Sequence, residues 1–211
     1  MDKDNQSKEY ILEQGFDTIT QAGLRYFTVE SLAAHLGMSK KTIYKFFPSK
    51  EILIEKIVDY FTGTIEHKLD KIMKSDADPI EKYNIIMDFI MNKINRVSME
   101  KVVEVKNRYP KVWGKIEAFR ISLTRNFSAI FIEAQKKGLA KADMDMEKVA
   151  IVYMNIVNNI FQPEFFLENN LAPVDTIRLF VKMITEGLFT QDGISIMMKS
   201  GNANNSNVEK E

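Results

Sequence analysis

Residues 28–50 have the sequence TVESLAAHLGMSKKTIYKFFPSK and predict two short helices joined by a tight turn. The Thr28 hydroxyl can accept a hydrogen bond from an otherwise unpaired amide at the start of the first helix. Gly37 follows the last apolar residue of that helix, and glycine readily adopts the left-handed conformation that ends a helix. Ser39 provides a second N-cap, for a helix over residues 40–47. This pattern is typical of a helix-turn-helix.

Positive charge is concentrated in the second of these helices. Residues 36–50 contain four lysines and no carboxylate, although the whole chain has a net charge of zero. An exposed helix start with lysine and threonine suits the DNA major groove, where it meets base edges and phosphates. The alternative is a solvated outer face, as in most lysine-rich helices. The candidate DNA contacts are Thr28, Ser39, Lys40, Lys41, Thr42, Tyr44, Lys45 and Lys50.

The positions of these residues suggest two roles. Lys50 begins the next helix and Tyr44 can direct its hydroxyl outward, so both are predicted to contact phosphates without distinguishing sequences. Lys40, Lys41 and Thr42 lie at the exposed start of the second helix. A lysine can donate to guanine and a threonine methyl group can contact thymine, so these three are predicted to contact bases.

A longer, ordered series of residues surrounds these lysines. It comprises Ile11-Leu12, Gly23, Thr28-Val29, Leu32-Ala33, Leu36-Gly37-Met38-Ser39, Thr42-Ile43-Tyr44, Phe46-Phe47, Ser49-Lys50-Glu51 and Leu53. This series, within residues 10–61, resembles the DNA-binding domain of the TetR family of bacterial transcriptional regulators. Gly15 departs from the family pattern, in which a larger or better helix-forming residue is usual, and suggests a less stable first helix.

The resemblance implies a homodimer held together by the last two helices, at about residues 147–162 and 173–189. Tyr153 and Ile156 are then candidates for the interface. It also implies that a small molecule in the larger domain moves a connecting helix at residues 50–74 and so changes the spacing of the two recognition helices. A dimer also meets the physical requirement for specific binding, because one short recognition helix contacts few bases and two such helices contact twice as many.

The overall composition limits the function in other ways. A net charge of zero excludes a protein that coats nucleic acid through a uniformly basic surface. The absence of cysteine excludes disulfides, thiol redox sensing and thiolate metal sites. Neither a membrane-spanning apolar run nor a hydrophobic signal core is found in the sequence, so we expect a cytoplasmic protein.

Helical periodicity without competing strand patterns predicts an all-α protein of about nine helices. We expect four segments: an N-terminal three-helix DNA-binding domain at residues 1–49, a connecting helix at 50–74, a helical effector-binding and dimerisation domain at 75–198, and a disordered tail at 199–211. In this scheme residues 110–137 form one long helix.

The larger domain lacks the usual marks of an enzyme. The two histidines, His35 and His67, are far apart in sequence, and we find no nucleophile, phosphate-binding or metal-ligand motif. We therefore predict neither catalysis nor a cofactor nor a metal. Apolar, methionine-containing helices interrupted by polar residues instead suggest an effector site, although each residue could equally fill the core or contact another helix or subunit. The candidate effector contacts are Tyr83, Met87, Arg108, Trp113, Phe127, Asn155 and Asn159.

These observations favour a dimeric transcriptional regulator, in particular a repressor released from double-stranded operator DNA by a small, largely apolar effector. The alternative is a DNA-binding protein whose larger domain docks a protein partner and binds no small molecule. An exposed apolar patch outside the dimer interface would favour the alternative, and a closed apolar cavity would favour the repressor.

Overall fold

The computed structural model describes residues 3–95, 98–159 and 161–208, which form twelve α-helices. They are α1 (Lys3–Ala22), α2 (Val29–His35), α3 (Lys40–Phe46), α4 (Lys50–Met73), α5 (Pro79–Ile94), α6 (Met99–Arg108), α7 (Pro110–Ser122), α8 (Thr124–Lys136), α9 (Met146–Asn159), α10 (Pro163–Glu168), α11 (Pro173–Leu188) and α12 (Gln191–Val208). The described ranges contain no strand, only an isolated antiparallel bridge between Ala140 and Phe189. The predicted all-α fold class is confirmed.

The helix count exceeds the prediction because residues 110–137 form two helices and α10 and α12 are additional. The interruption between α7 and α8 has a local cause. The Thr124 hydroxyl donates to the Ile121 carbonyl over 2.8 Å, and the Leu123 amide donates to the Arg120 carbonyl three residues earlier. Both bonds compete with the regular pattern of an α-helix. An apolar periodicity that continues across the break does not reveal it.

Helix α12 extends into the C-terminal segment that was predicted to be disordered. Residues 199–211 were expected to be disordered, whereas α12 continues to Val208, and residues 209–211 lie outside the described residues. The first half of α12 packs on α5, and the Asn84 side-chain amide donates to the Met197 carbonyl over 3.0 Å.

The chain divides into two compact units that do not follow the sequence order. Unit 1 consists of Met1–Lys68 with Arg96–Phe119, and unit 2 consists of Leu69–Asn95 with Arg120–Glu211. Unit 1 thus combines the predicted DNA-binding segment with α6 and most of α7. The sequence analysis had assigned α6 and α7 to the domain at residues 75–198.

Hydrophobic burial explains the composition of unit 1. Val112 of α7 is buried in the same core as the helix-turn-helix, together with Ile11, Leu24, Phe27, Val29, Leu32, Ala33, Ile43, Phe47, Leu53, Ile54 and Ile57. Gly15 contributes by its small size, since an ideal Cβ at this position would lie 2.6 Å from Ile57 Cδ1. The glycine that departs from the family pattern therefore lets α4 approach α1 closely.

The helix-turn-helix has the caps that the sequence predicts. Thr28 Oγ1 accepts from the Ser31 amide over 3.0 Å, and Ser31 Oγ accepts from the Thr28 amide, which completes a reciprocal capping box. Gly37 has a φ of 62°, in the left-handed region that favours glycine. Ser39 Oγ accepts from the Thr42 amide over 3.1 Å at the start of α3. Local side-chain chemistry therefore fixes the turn between α2 and α3.

Unit 2 is built around a cluster of aromatic rings from α5, α8, α9 and α11 and from the residue that follows α11. Neighbouring ring centroids lie 5.2–6.2 Å apart, mostly in tilted or edge-on pairs, which is the favourable geometry for aromatic side chains. The rings belong to Tyr83, Phe127, Phe131, Tyr153, Phe180 and Phe189. Helix α9 packs most extensively on α8 within this unit.

Candidate DNA-binding site

The exposed face of α3 carries most of the predicted DNA contacts. Ile43 is fully buried and fixes α3 against the core of unit 1, so Lys40, Lys41, Tyr44 and Lys45 lie on its exposed side. Residues two apart on a helix point away from each other, whereas residues three or four apart share a face. The buried Ile43 therefore directs Lys41 and Lys45, which are each two residues away from it, outward.

Two of these lysines bind carboxylates from outside α3. Lys40 Nζ lies 2.7 Å from Glu30 Oε1 in the first turn of α2, and Lys45 Nζ lies 3.1 Å from Asp4 Oδ2 in α1. The hydrogen bond from Lys40 lowers the pKa of Glu30, and the same bond raises the pKa of Lys40, so both groups remain charged at neutral pH. The sequence analysis missed both pairs, because residues 36–50 themselves contain no carboxylate.

Lys41 differs from these two lysines. It is exposed and forms no ion pair within the described ranges, so its ammonium group is available to a nucleic acid. The neighbouring Thr42 hydroxyl lies 2.9 Å from the Ser39 hydroxyl, which fixes its side chain beside the N-terminus of α3. The Ser39 side chain is thus used for capping, as is that of Thr28.

Lys50 lies at the other end of the motif, at the start of α4. Its ammonium group lies 5.9 Å from the centre of the Phe27 ring, within the range of a cation–π contact. Ser49 Oγ accepts from the Ile52 amide over 3.2 Å and so caps α4. This contact holds the Lys50 ammonium group beside Phe27, and Lys50 forms no ion pair in the described ranges.

Helices α6 and α7 each provide a lysine that binds a helix of the DNA-binding segment or the helix that follows it. The Lys101 ammonium donates to the carbonyls of Thr20 and Gln21, over 3.0 and 2.5 Å, at the C-terminus of α1. The last turn of α1 has no basic residue of its own, and a cation at this end of a helix is stabilising. On α7, Lys115 contacts carboxylates of α4 at 2.6 and 2.7 Å. These lysines therefore position α1 and α4.

The candidate effector contacts are divided between the two units. Arg108 and Trp113 belong to unit 1, where Arg108 forms an exposed ion pair with Glu104 at 3.5 Å and the ammonium group of Lys106 lies 5.5 Å from the centre of the buried Trp113 ring. Neither of them lies in the aromatic cluster of unit 2.

The two asparagines were expected to interrupt an apolar, buried face of α9. Asn155 and Asn159 are instead exposed, and the Asn159 amide donates to Asn155 Oδ1 over 2.6 Å. Helix α9 is apolar on two sides, so its periodicity does not distinguish the buried from the exposed side. Tyr153, a candidate for the dimer interface, lies on the buried side, and Ile156 is half-buried.

Tyr83, Met87 and Phe127 do come together in unit 2. The Tyr83 hydroxyl lies 3.3 Å from the Tyr153 hydroxyl, which also contacts Met87 Sδ at 3.7 Å, and both tyrosine rings pack on Phe127. Burial raises the pKa of Tyr153 to about 12 and that of Tyr83 well above its usual value. The pair is therefore an uncharged polar group enclosed by aromatic rings.

The buried tyrosine pair predicts a loss of stability in alkaline solution. Since folding raises the pKa of Tyr153 from 10 to about 12, its contribution is complete below pH 10 and is lost as the pH rises towards 12. A two-unit shift corresponds to about 3 kcal/mol. Urea denaturation at pH 8 and pH 11 should therefore show a smaller stability loss for Tyr153→Phe than for wild type. Equal losses in both proteins would contradict this environment for Tyr153.

Four exposed apolar side chains, which we together call the apolar face, lie on α9 and α11 of unit 2. Ile151, Val152, Leu179 and Met183 have exposed fractions of 57–62%, and Leu179 and Met183 lie four residues apart on one side of α11. Exposed apolar side chains grouped in this way are typical of protein–protein interfaces.

Two kinds of structural feature are absent from the described residues. They contain no group of three or more histidine, aspartate or glutamate side chains that could hold a metal ion. None of the helices in these ranges is long and apolar enough to span a membrane.

Comparison with known proteins agrees with the geometry of unit 1. Residues 11–57 match the family model described as "Bacterial regulatory proteins, tetR family". YvaF, an HTH-type transcriptional regulator of Bacillus subtilis (strain 168), is 24% identical over 180 residues, which are 84% of this chain and 93% of YvaF.

Solved structures share the fold over most of the chain. A TetR transcription regulator from Haloarcula marismortui ATCC 43049 has a TM-score of 0.70 at 14% identity, and the match covers 88% of this chain and 100% of that one. A transcriptional regulator from Saccharomonospora viridis, solved in complex with choline, has a TM-score of 0.63 at 16% identity, over 89% of this chain and 100% of that one. This chain therefore contains, at residues 11–57, the DNA-binding domain of the TetR family of bacterial regulatory proteins.

Proposed function

We propose that the protein is a homodimeric repressor that binds operator DNA through α3 and is released by a small, uncharged, largely apolar effector bound in unit 2. The observation that carries this proposal is the exposed start of α3. Ile43 anchors the helix, and Lys41 and Thr42 face outward beside its N-terminus. A short, rigid helix with this face suits the major groove of DNA.

The apolar face supports the dimer. Each protomer would bury Ile151, Val152, Leu179 and Met183 against the same residues of its partner, as in a two-fold symmetric interface. Asn155 and Asn159, which are exposed on α9, would then lie at or near this interface. A dimer presents two copies of α3 and therefore favours an operator with two related half-sites.

The tyrosine pair supports an uncharged effector. Tyr83 and Tyr153 offer hydroxyl groups in a surrounding of rings, and neither side chain ionises near neutral pH. A ligand with an apolar body and one or two hydrogen-bonding groups matches this environment. Quaternary ammonium ions are a second class to test, because aromatic rings attract such cations and the Saccharomonospora viridis regulator was solved with choline.

The test is release from DNA. A duplex enriched by in vitro selection is bound to the protein, and neutral aromatic compounds, amphipathic compounds and choline are added in turn. We expect at least one uncharged compound to lower the affinity for DNA, and the selected duplex to lower the affinity for that compound by the same factor. A compound with equal affinity for the free and the DNA-bound protein would not be an effector.

Lys50 gives a separate prediction about DNA backbone contacts. Because its ammonium group lies beside the start of α4 and forms no ion pair in the described ranges, we expect it to bind a phosphate. Lys50→Ala should weaken binding to selected and scrambled duplexes alike. It should also flatten the plot of log affinity against log salt by about 0.9 per subunit.

The matched control is Lys68→Ala, at an exposed position of α4 beyond the motif. Salt titrations of both variants on both duplexes make the comparison. If Lys50→Ala abolished the preference for the selected duplex while retaining the wild-type slope, Lys50 would contact bases.

A further inference from the structure

Two carboxylates that bind lysines of α3 point to a control of DNA binding by acidic residues. Glu30 binds Lys40 and Asp4 binds Lys45, so two of the four lysines in residues 36–50 already have an intramolecular anionic partner. The partners come from different helices, α2 and α1, and each reaches the exposed side of α3. A phosphate approaching either lysine therefore meets a carboxylate at the same ammonium group.

These pairs are not needed to form the motif. All four side chains are more than half exposed, and exposed ion pairs contribute little to folding. Thr28 and Ser39 already provide the side-chain acceptors that start α2 and α3. The position of the carboxylates beside the lysines of α3 therefore indicates a role in DNA binding rather than in folding stability.

The effect of a carboxylate depends on how the lysine contacts DNA. Binding to random sequence depends almost entirely on lysine–phosphate contacts, for which a carboxylate competes directly. An ammonium group has three donors, so Lys40 can contact a base acceptor while it still donates to Glu30. A phosphate contact requires Lys40 to turn towards the backbone and leaves Glu30 close to a second negative charge.

We propose that Glu30 and Asp4 are specificity-determining residues, which compete with DNA phosphates for Lys40 and Lys45 and so weaken binding to random sequence more than binding to the operator. The inference rests on the proposed role of α3 in DNA binding. In the free protein, each carboxylate holds its lysine on the exposed side of α3. The operator then gains affinity through base contacts that do not displace the carboxylate.

The test uses Glu30→Gln and Asp4→Asn in the full-length protein. Two controls remove the same charge from exposed positions in unit 2: Glu147→Gln at the start of α9, and Asp143→Asn in the loop before it. Affinities are measured on a selected duplex and on a random-sequence duplex of the same length, at low and at physiological salt. Because both ion pairs are exposed and such pairs contribute little to folding, we expect each variant to keep the wild-type fold.

We expect each of the two variants to bind the random duplex about three- to tenfold more tightly than its control at low salt, with a smaller gain at higher salt. Binding to the selected duplex should change by less than about twofold, because its base contacts leave the carboxylates in place. The ratio of the two affinities, which measures specificity, should therefore fall.

Three results would overturn the inference. If affinity rose equally for both duplexes, the carboxylates would repel DNA in general and would not affect specificity. If affinity rose no more than in the controls, the carboxylates would have no role in DNA binding. Weaker binding would mean that the carboxylates orient the lysines for DNA contact. Wild-type protein without preference for the selected duplex would instead overturn the proposed function together with this inference.

Discussion

Replacing both Leu179 and Met183 with glutamate is expected to convert the protein from a dimer to a monomer. Both side chains are exposed on one side of α11 and belong to the apolar face, so four carboxylates would oppose one another across the two-fold axis. The charges would be buried without partners, which is strongly unfavourable at an interface. Light scattering at micromolar concentration should give the mass of one chain for the variant and of two chains for wild type.

The same variant should lose operator affinity by at least about a hundredfold, because specific sites are bound roughly 10³- to 10⁷-fold more tightly than random DNA and a monomer keeps half of the base contacts. The matched control is Ala129→Glu, which adds a carboxylate at an exposed position of α8. A double-glutamate variant that remained dimeric would place the interface elsewhere on the chain.

The second large effect concerns base contacts. Lys41→Ala is expected to lower the preference for the selected duplex over a scrambled duplex by about 1–3 kcal/mol per half-site, the usual value of one good base contact. The reason is structural: Lys41 is exposed beside the start of α3 and has no ion pair in the described part of the chain. Thr42→Ala should act in the same direction, with a smaller effect confined to positions that contain thymine.

Competition binding with selected and scrambled duplexes measures this effect. Lys136→Ala, at an exposed position near the C-terminus of α8, is the matched control for the loss of one positive charge. If Lys41→Ala weakened binding to both duplexes equally, Lys41 would contact a phosphate, and another residue would determine the sequence preference.

The helix-turn-helix was predictable because its determinants are local. Thr28, Gly37 and Ser39 each act on the backbone within three residues of themselves, so their positions in the sequence already define the turn. A buried Ile43 between exposed lysines likewise follows from helical spacing alone.

The partners of the lysines were not predictable in this way. Asp4 and Lys45 are 41 residues apart, and Lys101 is 80 and 81 residues from the two carbonyls it binds at the end of α1. These contacts depend on how α1, α3 and α6 pack, and a periodic pattern in one helix contains no such information. For the same reason the sequence did not reveal that Val112 shares the core of unit 1.

The candidate effector contacts likewise differ in how far the sequence could predict their positions. Tyr83, Met87 and Phe127 lie close together in unit 2, because large apolar residues at helical spacing tend to meet in a core. Asn155 and Asn159 were assigned to the buried side, but α9 is apolar on two sides, so its periodicity does not show which side is buried. Polar groups that do lie in the unit 2 core include the hydroxyls of Tyr83 and Tyr153.

The most direct test of the account is in vitro selection of DNA from a random-sequence pool by the wild-type protein, followed by sequencing of the bound duplexes. If two copies of α3 bind adjacent major grooves, the enriched sequences should contain an inverted repeat whose half-sites are centred about 10 base pairs, or a multiple of this, apart. Enrichment of a single half-site, or no enrichment over the starting pool, would contradict a dimeric protein that recognises its operator through α3.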